Sequence, residues 1–165
     1  MPATITAAAL TAAAFAPFGD VIEIAGEPTA MINRGRCGRY NDLARLDFNA
    51  GGRAGISLFH SQPITLPLEL DLMERHPLGS QAFLPMSGHP YLVAVAGDHD
   101  GKPGDIHAFV ARPDQGVNYH RNTWHGVLMP IGHTALFAVV DWIGSGANLE
   151  ECHFDESVTI VGTAA

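Results

Sequence analysis

The amino-acid sequence predicts a mainly all-β protein, built from many short strands that form a barrel or a sandwich. Its apolar runs are brief, and turn-forming residues separate nearly all of them; the 165 residues include 18 Gly and 11 Pro. One stretch also alternates, because Leu68, Leu70 and Leu72 are separated by Glu69 and Asp71. A period of two predicts a strand with one buried face. Short strands with such turn signals favour an all-β fold over a helical or doubly wound one.

The elements can be assigned in chain order. Thr11 is a suitable N-cap for a short helix through Phe15, which Pro17 ends and Gly19 follows. We expect this helix to plug or flank the barrel. Neither a repeat nor a linker divides the chain, so residues 1–165 are predicted to form one domain. In addition to the alternating stretch, apolar runs predict strands over residues 20–24, 56–59, 91–96, 107–110, 126–129 and 134–143.

The composition argues against several classes of function. Lys and Arg total 9 against 17 Asp and Glu, a formal charge of −8, so binding to nucleic acid or to an anionic membrane surface is not expected. The one lysine, Lys102, lies in a turn-like run rich in Gly and Asp, which argues against Schiff-base chemistry. We expect no organic cofactor. The nine His equal the Lys and Arg total and enrich the chain in groups that titrate near neutral pH.

Two features favour a cytoplasmic protein. Cys37 and Cys152 are too few and too far apart for a zinc knuckle or a disulfide framework, which fits a reducing compartment. The alanine-rich stretch over residues 7–14 follows no basic residue, unlike a secretion signal, and no later apolar run reaches the roughly 18 residues of a spanning helix. We therefore expect a cytoplasmic location and no membrane partner.

Ionisable residues follow the alternating leucines. Continuing the period of two places Glu74 and His76 on the same buried face. A buried charge costs free energy unless it is paired, so these residues either bind or transform a ligand, or form a satisfied pair in the core. An ion pair between Glu74 and Arg39 is an equally good structural explanation. Pro77 holds the backbone of His76 extended and so fixes the direction of its side chain.

A second polar cluster occupies residues 115–125. Asn118 and His120 lie two residues apart and are expected to share one face of a short strand. His125 follows Trp124 near the end of the same segment. Polar side chains from two such strands can converge inside a β-barrel.

The spacing of these two clusters resembles the two motifs of the cupin superfamily. The first motif reads His-x-His, four residues, Glu, six residues, Gly, and the second ends in a single His. Glu74 stands in place of the first His, and Gln81 in place of the Glu. The resemblance implies a double-stranded β-helix barrel that pairs into a homodimer through edge strands. The residues at the motif positions are Glu74, His76, Gln81, Gly88 and His120.

Longer runs resemble the ureidoglycolate lyase family of cupins. They cover most of the chain in order, over residues 14–23, 39–44, 74–86 and 115–125. The most specific are Glu-Arg-His-Pro-Leu-Gly, Gln-Gly-Val-Asn-Tyr-His and Trp-His; the segment from about Gly144 onward carries no match. The resemblance implies a carbon–nitrogen lyase of allantoin and purine degradation. Such an enzyme cleaves (S)-ureidoglycolate, a small anionic substrate, to glyoxylate and urea.

The chemistry of that reaction indicates which residues could form the site. Elimination needs a base for the hydroxyl proton and an acid for the departing nitrogen, and His120, Glu74 and His76 are the candidates. Candidates for substrate contact are Arg39, as a carboxylate clamp, together with Asn118, His125 and Gln81. Each has a structural alternative: His120 bonded to a carbonyl, Asn118 in a turn, His125 packed beside Trp124, Gln81 bonded to its neighbours, and Arg39 on the surface.

The resemblance also implies a divalent metal, with nickel as the first ion to consider. Its ligands would be Glu74, His76, Gln81 and His120. A proton relay without metal is the alternative. Three rival functions stay open: amidohydrolysis of the same substrate with release of ammonia, another cupin reaction such as sugar isomerisation or dioxygenation, and non-catalytic binding of a small molecule.

Overall fold

A computed structural model describes residues 3–162, which form fifteen strands and one short helix. The first half of the chain contains β1 (Thr4–Thr6), β2 (Ala8–Ala9), α1 (Ala12–Phe15), β3 (Gly19–Ile22), β4 (Ala30–Ile32), β5 (Cys37–Arg39), β6 (Gly52–Ser61), β7 (Leu68–Arg75) and β8 (Gln81–Pro85). The second half contains β9 (Tyr91–His99), β10 (Lys102–Ala111), β11 (Gly116–Tyr119), β12 (Trp124–His125), β13 (Met129–Pro130), β14 (Ala135–Gly144) and β15 (Glu150–Val161).

Two mainly antiparallel sheets make up a nearly closed, barrel-like body. The larger sheet has the strand order β1-β15-β7-β12-β9-β10-β2, with β13 also paired to β9. The smaller has the order β3-β11-β8-β14-β6, and β4 and β5 form a separate hairpin. The predicted all-β, cupin-like fold is confirmed. The long pairings join strands distant in sequence, such as β7 with β15, and β8 with β14.

The short N-terminal helix lies where the sequence predicts it. The Thr11 side chain accepts a hydrogen bond from the Ala14 amide at 3.2 Å, as an N-cap should. Phe15, the last residue of α1, is fully buried against Phe18, Phe109 and Tyr119, so the helix closes the apolar interior of the barrel. Within residues 3–162 no helix combines the length and the hydropathy needed to cross a membrane.

Two apolar clusters hold the sheets together. The central cluster fills the space between the two sheets, and the outer cluster covers the opposite face of β9. Strand β9 is therefore buried on both faces, with Val93 and Val95 in the central cluster and Leu92 and Ala94 in the outer one. The largest further members of the central cluster are Phe15, Phe18, Phe83, Tyr91, Phe109, Tyr119 and Phe137; those of the outer cluster are Leu70, Met73, Trp124, Met129 and Ile160.

The alternation predicted along β7 is wrong in one respect. Leu70 and Met73 both pack in the outer cluster, although an odd spacing should place them on opposite faces. Glu74 instead faces the interior of the barrel. The pairing with β15 is irregular in this region, because its register shifts between His153 and Val158. Glu74 points inward, whereas Leu68 and Leu70 pack in the outer cluster.

The other predicted strands are found, with one exception. Residues 126–129 were expected to form a strand, but only the last of them does so, in the two-residue β13. Gly126 donates its backbone amide to Ala94, after which the chain leaves the sheet. The hairpin of β4 and β5 had no clear alternation in the sequence, and all six of its residues are exposed.

Candidate active site

An open cavity of about 430 Å³ enters the barrel between the two sheets. Its inner end contains a carboxylate, an imidazole and a phenol, from Glu74, His125 and Tyr119. Its remaining wall is mainly apolar, which is the usual make-up of a small-molecule site. We call this space the central cavity; its lining residues are Phe59, His60, Ser61, Glu74, Phe83, Tyr119, His125, Gly126, Val127 and Leu128.

Glu74, His76 and His125 form a compact group at the inner end. The backbone pairing of β7 and β12 sets Glu74 directly opposite His125. His76 follows the end of β7, and its ring centroid lies 5.2 Å from that of His125. Glu74 Oε1 lies 3.8 Å from His76 Nε2, and one ligating atom from each residue falls within 4.8 Å of the others. We call these three residues the inner triad.

Both imidazoles of the inner triad are held in one orientation by backbone carbonyls. His76 Nδ1 lies 2.6 Å from the Asn148 carbonyl oxygen, and His125 Nδ1 lies 2.9 Å from that of Gly126. Because a carbonyl oxygen can only accept, each Nδ1 carries the proton and donates it. In the neutral imidazole, each Nε2 is therefore left with a free lone pair. Among the described residues both Nε2 atoms are buried and have no hydrogen-bond partner.

Burial shifts the pKa values of this group in opposite directions. Burial, together with a smaller effect of the nearby His76, lowers the pKa of His125 to about 3, while the bond to Gly126 opposes the shift. Burial raises the pKa of Glu74; His76 acts against that rise and Glu151 adds to it. His125 is therefore neutral at pH 7, and Glu74 holds a proton up to a higher pH than an ordinary carboxyl group.

Tyr119 stands beside the inner triad. Its ring stacks on the ring of His125 with centroids 4.2 Å apart and planes 3° apart. Burial raises the pKa of Tyr119, and the neighbouring Glu74 raises it further. The phenol therefore keeps its proton at neutral pH and can donate a hydrogen bond into the central cavity, which it lines.

The prediction that Asn118 faces the barrel interior is wrong. Val117 and Tyr119 face the interior, whereas Asn118 points away from it and donates to Asp20 Oδ2 at 2.9 Å and to the Arg45 carbonyl at 3.0 Å. Consecutive residues of a strand face opposite sides, so an assignment displaced by one residue exchanges the two faces. Asn118 is therefore separated from the central cavity by the sheet itself.

His120 also lies outside the inner triad. Its Nε2 is 3.3 Å from Asp20 Oδ2, and its side chain is 41% exposed. It lines a separate pocket of about 230 Å³ together with Arg45, Asp47 and Arg121, which we call the outer pocket. His125 occupies the position predicted for His120, next to Glu74 and His76.

The two remaining predicted residues are not among those that line the central cavity. Gln81 is buried and donates its amide nitrogen to Asp141 Oδ2 at 3.2 Å. Its oxygen is buried without a partner among the described residues. Arg39 is exposed on the β4–β5 hairpin. The acidic neighbour of His76 is Glu74, so the structure supports the inner triad and not an ion pair between Glu74 and Arg39.

His125 could have been placed in the site from one local signal. Asn122, three residues earlier, has a positive φ of 65°. Asn adopts this conformation more readily than most residues, so Asn-Thr before Trp-His indicates a tight turn that starts a new strand. That reading makes His125 a strand residue in its own right. The inward positions of Tyr119 and Asp141 follow only once the buried face of each strand is known.

The inner triad suits a divalent cation. Two imidazole nitrogens and a carboxylate are common ligands of first-row transition metals, and both nitrogens present an unprotonated lone pair. The carbonyls that accept from Nδ1 orient the rings as partners of metal-bound histidines usually do. Glu74, His76 and His125 could therefore hold a metal ion.

The low pKa of His125 predicts how the stability of the metal-free protein changes with pH. The unfolded chain binds a proton at this residue below about pH 6.5, while the folded protein does not until about pH 3. The stabilising contribution is therefore complete above pH 6.5 and is lost as the pH falls, by at most about 1.4 kcal/mol per pH unit.

Urea unfolding with a chelator present, between pH 7.5 and pH 5, measures this dependence. We expect the free energy of unfolding to decline less steeply in His125→Gln than in the unsubstituted protein. His99→Gln is the matched control, because the His99 side chain is 82% exposed. Equal slopes in the unsubstituted protein and His125→Gln would contradict the prediction.

Comparison with known proteins shows which family this chain resembles. Residues 2–161 match the family model described as ureidoglycolate lyase. A ureidoglycolate lyase of Rhodobacter capsulatus is 65% identical over 142 residues, which cover 86% of this chain and 88% of the relative. Those of Mesorhizobium japonicum and Brucella melitensis are 50% and 49% identical over 159 and 156 residues, covering 94% and 93% of this chain and 96% and 91% of the relatives.

The family model spans nearly the whole chain, and each of these relatives covers more than four fifths of it at high identity. The chain therefore belongs to the ureidoglycolate lyase family.

Proposed function

We infer that this protein is a lyase that cleaves ureidoglycolate to glyoxylate and urea. The family and the names of the relatives support this activity. The structural observation that carries it is the inner triad, where the Glu74 carboxyl group, whose pKa burial raises, lies 3.8 Å from His76 Nε2. A carboxyl group with a raised pKa can accept a proton and return it. We further propose the (S) enantiomer as the substrate, as the family resemblance implies.

The reaction requires one proton to move within the substrate. The hydroxyl O–H bond breaks and its oxygen forms the carbonyl of glyoxylate, while the C–N bond breaks and the departing nitrogen gains a proton as urea. The net proton count is zero, so one group that takes the hydroxyl proton and returns it to nitrogen is sufficient. Groups that fill this role usually have pKa values tuned towards neutrality.

We propose Glu74 as that group. Its carboxylate lines the central cavity, and burial raises its pKa towards the working range. Tyr119, which keeps its proton, is placed to donate a hydrogen bond to a substrate oxygen. His120 opens on the outer pocket, so we propose that His125 contributes to the site in its place.

The charge of the cavity supports a bound cation. Neither Lys nor Arg occurs among the residues that line it, while Glu74 adds a negative charge next to an anionic substrate. We propose that His76 and His125 hold a divalent metal through Nε2, with nickel as the first ion to test, while the Glu74 carboxylate lies beside it and stays free to move the proton. A bound metal would supply charge to hold the substrate oxygens and would lower the pKa of the substrate hydroxyl.

The product balance tests the function directly. After incubation of the purified protein with racemic ureidoglycolate, we expect equal amounts of glyoxylate and urea, with the reaction stopping at half of the racemate. Ammonia in place of urea would overturn the lyase assignment in favour of amidohydrolysis. No product above a buffer control, with metal supplied, would leave only another cupin reaction or a binding role.

Substitutions in the two pockets test the site. We expect Glu74→Gln and His125→Ala each to lower turnover by about 10²-fold or more, because each removes a group of the inner triad. His120→Ala is the matched control, and we expect it to change turnover only slightly. Steady-state kinetics on folded variants, checked by circular dichroism, measure the effect. A loss in His120→Ala as large as that in Glu74→Gln would move the site to the outer pocket.

We also propose that the protein is a homodimer that pairs through the smaller sheet. Strand β6 is the ten-residue edge strand of that sheet. Its outward residues Ile56 and Leu58 are 78% and 64% exposed, and the neighbouring Leu84 and Met86 extend the apolar face. An apolar face beside a long open edge is a typical interaction surface.

Light scattering coupled to size-exclusion chromatography tests this pairing. We expect a dimer that Leu58→Glu converts to a monomer, because a buried carboxylate would be unpaired at the interface. Ile24→Glu is the control, since Ile24 is 74% exposed just beyond β3, at the other edge of the sheet. A monomeric unsubstituted protein would contradict the proposal.

The expected location is a further proposal. Cys37 and Cys152 are both free thiols, and Cys37 is exposed, which suits a reducing cytoplasm. Fractionation of the producing cells tests this location, and recovery outside the cytoplasmic fraction would contradict it.

A further inference from the structure

Asp141 is a polar residue of the barrel interior that the proposed chemistry does not use. On β14, Phe137 and Val139 are fully buried in the central cluster, and Asp141 follows at the same spacing of two. It therefore shares their inward face. Its Oδ1 atom is buried and has no hydrogen-bond partner among the described residues.

The other oxygen of Asp141 fixes the amide of Gln81. The pairing of β14 with β8 sets Val140 opposite Ala82, which brings Asp141 beside Gln81. Gln81 Nε2 donates to Asp141 Oδ2 at 3.2 Å. A carboxylate accepts and does not donate, so it selects the amide orientation that turns the nitrogen towards it. The amide oxygen must then face away from Asp141.

This pair lies at the same level of the barrel wall as the inner triad. Gln81 is the backbone partner of Tyr119 on β11. The ring of Tyr119 stacks on that of His125, and His125 is the backbone partner of Glu74. A continuous band of inward side chains thus runs from Asp141 across the smaller sheet to Glu74 on the larger one.

The unpaired atoms of this band have one property in common. Each is a lone-pair donor: the buried atoms without partners include His76 Nε2, His125 Nε2, Gln81 Oε1 and Asp141 Oδ1. Such atoms cannot satisfy one another, because a hydrogen bond needs a donor as well as an acceptor. Leaving them unpaired is costly, so a ligand that accepts lone pairs is expected here. A cation is the simplest such ligand.

We propose that Asp141 is a positioning residue that holds the Gln81 oxygen towards the inner triad, where Gln81 provides a neutral oxygen ligand to the divalent ion. The inference rests on the metal centre proposed above. Without Asp141 the amide is free to reverse and present its NH₂ group, which would repel a cation. A carboxylate behind an amide also increases the electron density on the amide oxygen, as supporting partners of metal ligands do.

Metal binding, measured without substrate, tests this role. The dissociation constant for Ni²⁺ can be obtained by competition with a chromogenic chelator for the metal-free protein and its variants. We expect Asp141→Asn to weaken binding by about 10- to 100-fold, the usual effect of losing such a supporting partner. Asp100→Asn is the control, because the Asp100 side chain is 97% exposed and Asn tolerates its positive φ.

A double-mutant cycle separates positioning from a general effect of charge. If Asp141 acts through Gln81, Asp141→Asn should cause no further loss in a Gln81→Ala background. In the swapped pair Gln81→Glu with Asp141→Asn, the amide at position 141 can donate to the carboxylate at position 81. We expect that pair to recover most of the affinity. It also serves as the test if Asp141→Asn alone does not fold.

Three results would overturn the proposal: unchanged affinity in Asp141→Asn, the same loss with and without Gln81, or a folded swapped pair that does not bind Ni²⁺. If the unsubstituted protein binds no divalent ion, the metal centre and this inference fail together. The lyase reaction is tested separately, by the balance of glyoxylate and urea.

Discussion

The structure depends on one constraint, the burial of several lone-pair donors inside a barrel that is otherwise apolar. Aromatic and aliphatic side chains of the central cluster exclude water around them. In that surrounding, an uncompensated carboxylate or imidazole is costly, and their pKa values shift in the directions that remove charge. Groups with such shifts cluster at functional sites, which supports the proposal that the inner triad is the active site of this protein.

The architecture supplies what this centre needs. Strand pairing sets Glu74 opposite His125, and backbone carbonyls fix both imidazoles with Nε2 free. The stacked ring of Tyr119 limits the movement of His125. Groups held by rigid strands keep their geometry better than groups on loops, which favours a reaction that requires a proton to move over a short distance. The surrounding apolar wall strengthens every electrostatic interaction within the cavity.

Much of the fold and part of the candidate site could be predicted from the sequence, and the other features could not, for physical reasons. The cap at Thr11, the all-β class and the pairing of Glu74 with His76 depend on local patterns, and all three are found. The inward face of β11 was predicted wrongly because polar residues occur on both faces of the strand Val-Asn-Tyr-His. Only packing against the rest of the barrel decides which face is buried. The bulge opposite β7 and the position of Asp141 depend on pairing between distant strands. Such pairings leave no local trace in one sequence.

Anomalous X-ray diffraction at the nickel edge, from crystals of the protein grown with Ni²⁺, tests the central claim most directly. The burial of unpaired lone-pair donors predicts one ion per chain bonded to His76 Nε2 and His125 Nε2, with the Glu74 carboxylate next to it. An ion only at surface histidines, or no ion while both Nε2 atoms bind ordered water, would show that the inner triad is completed by solvent and is not a metal centre.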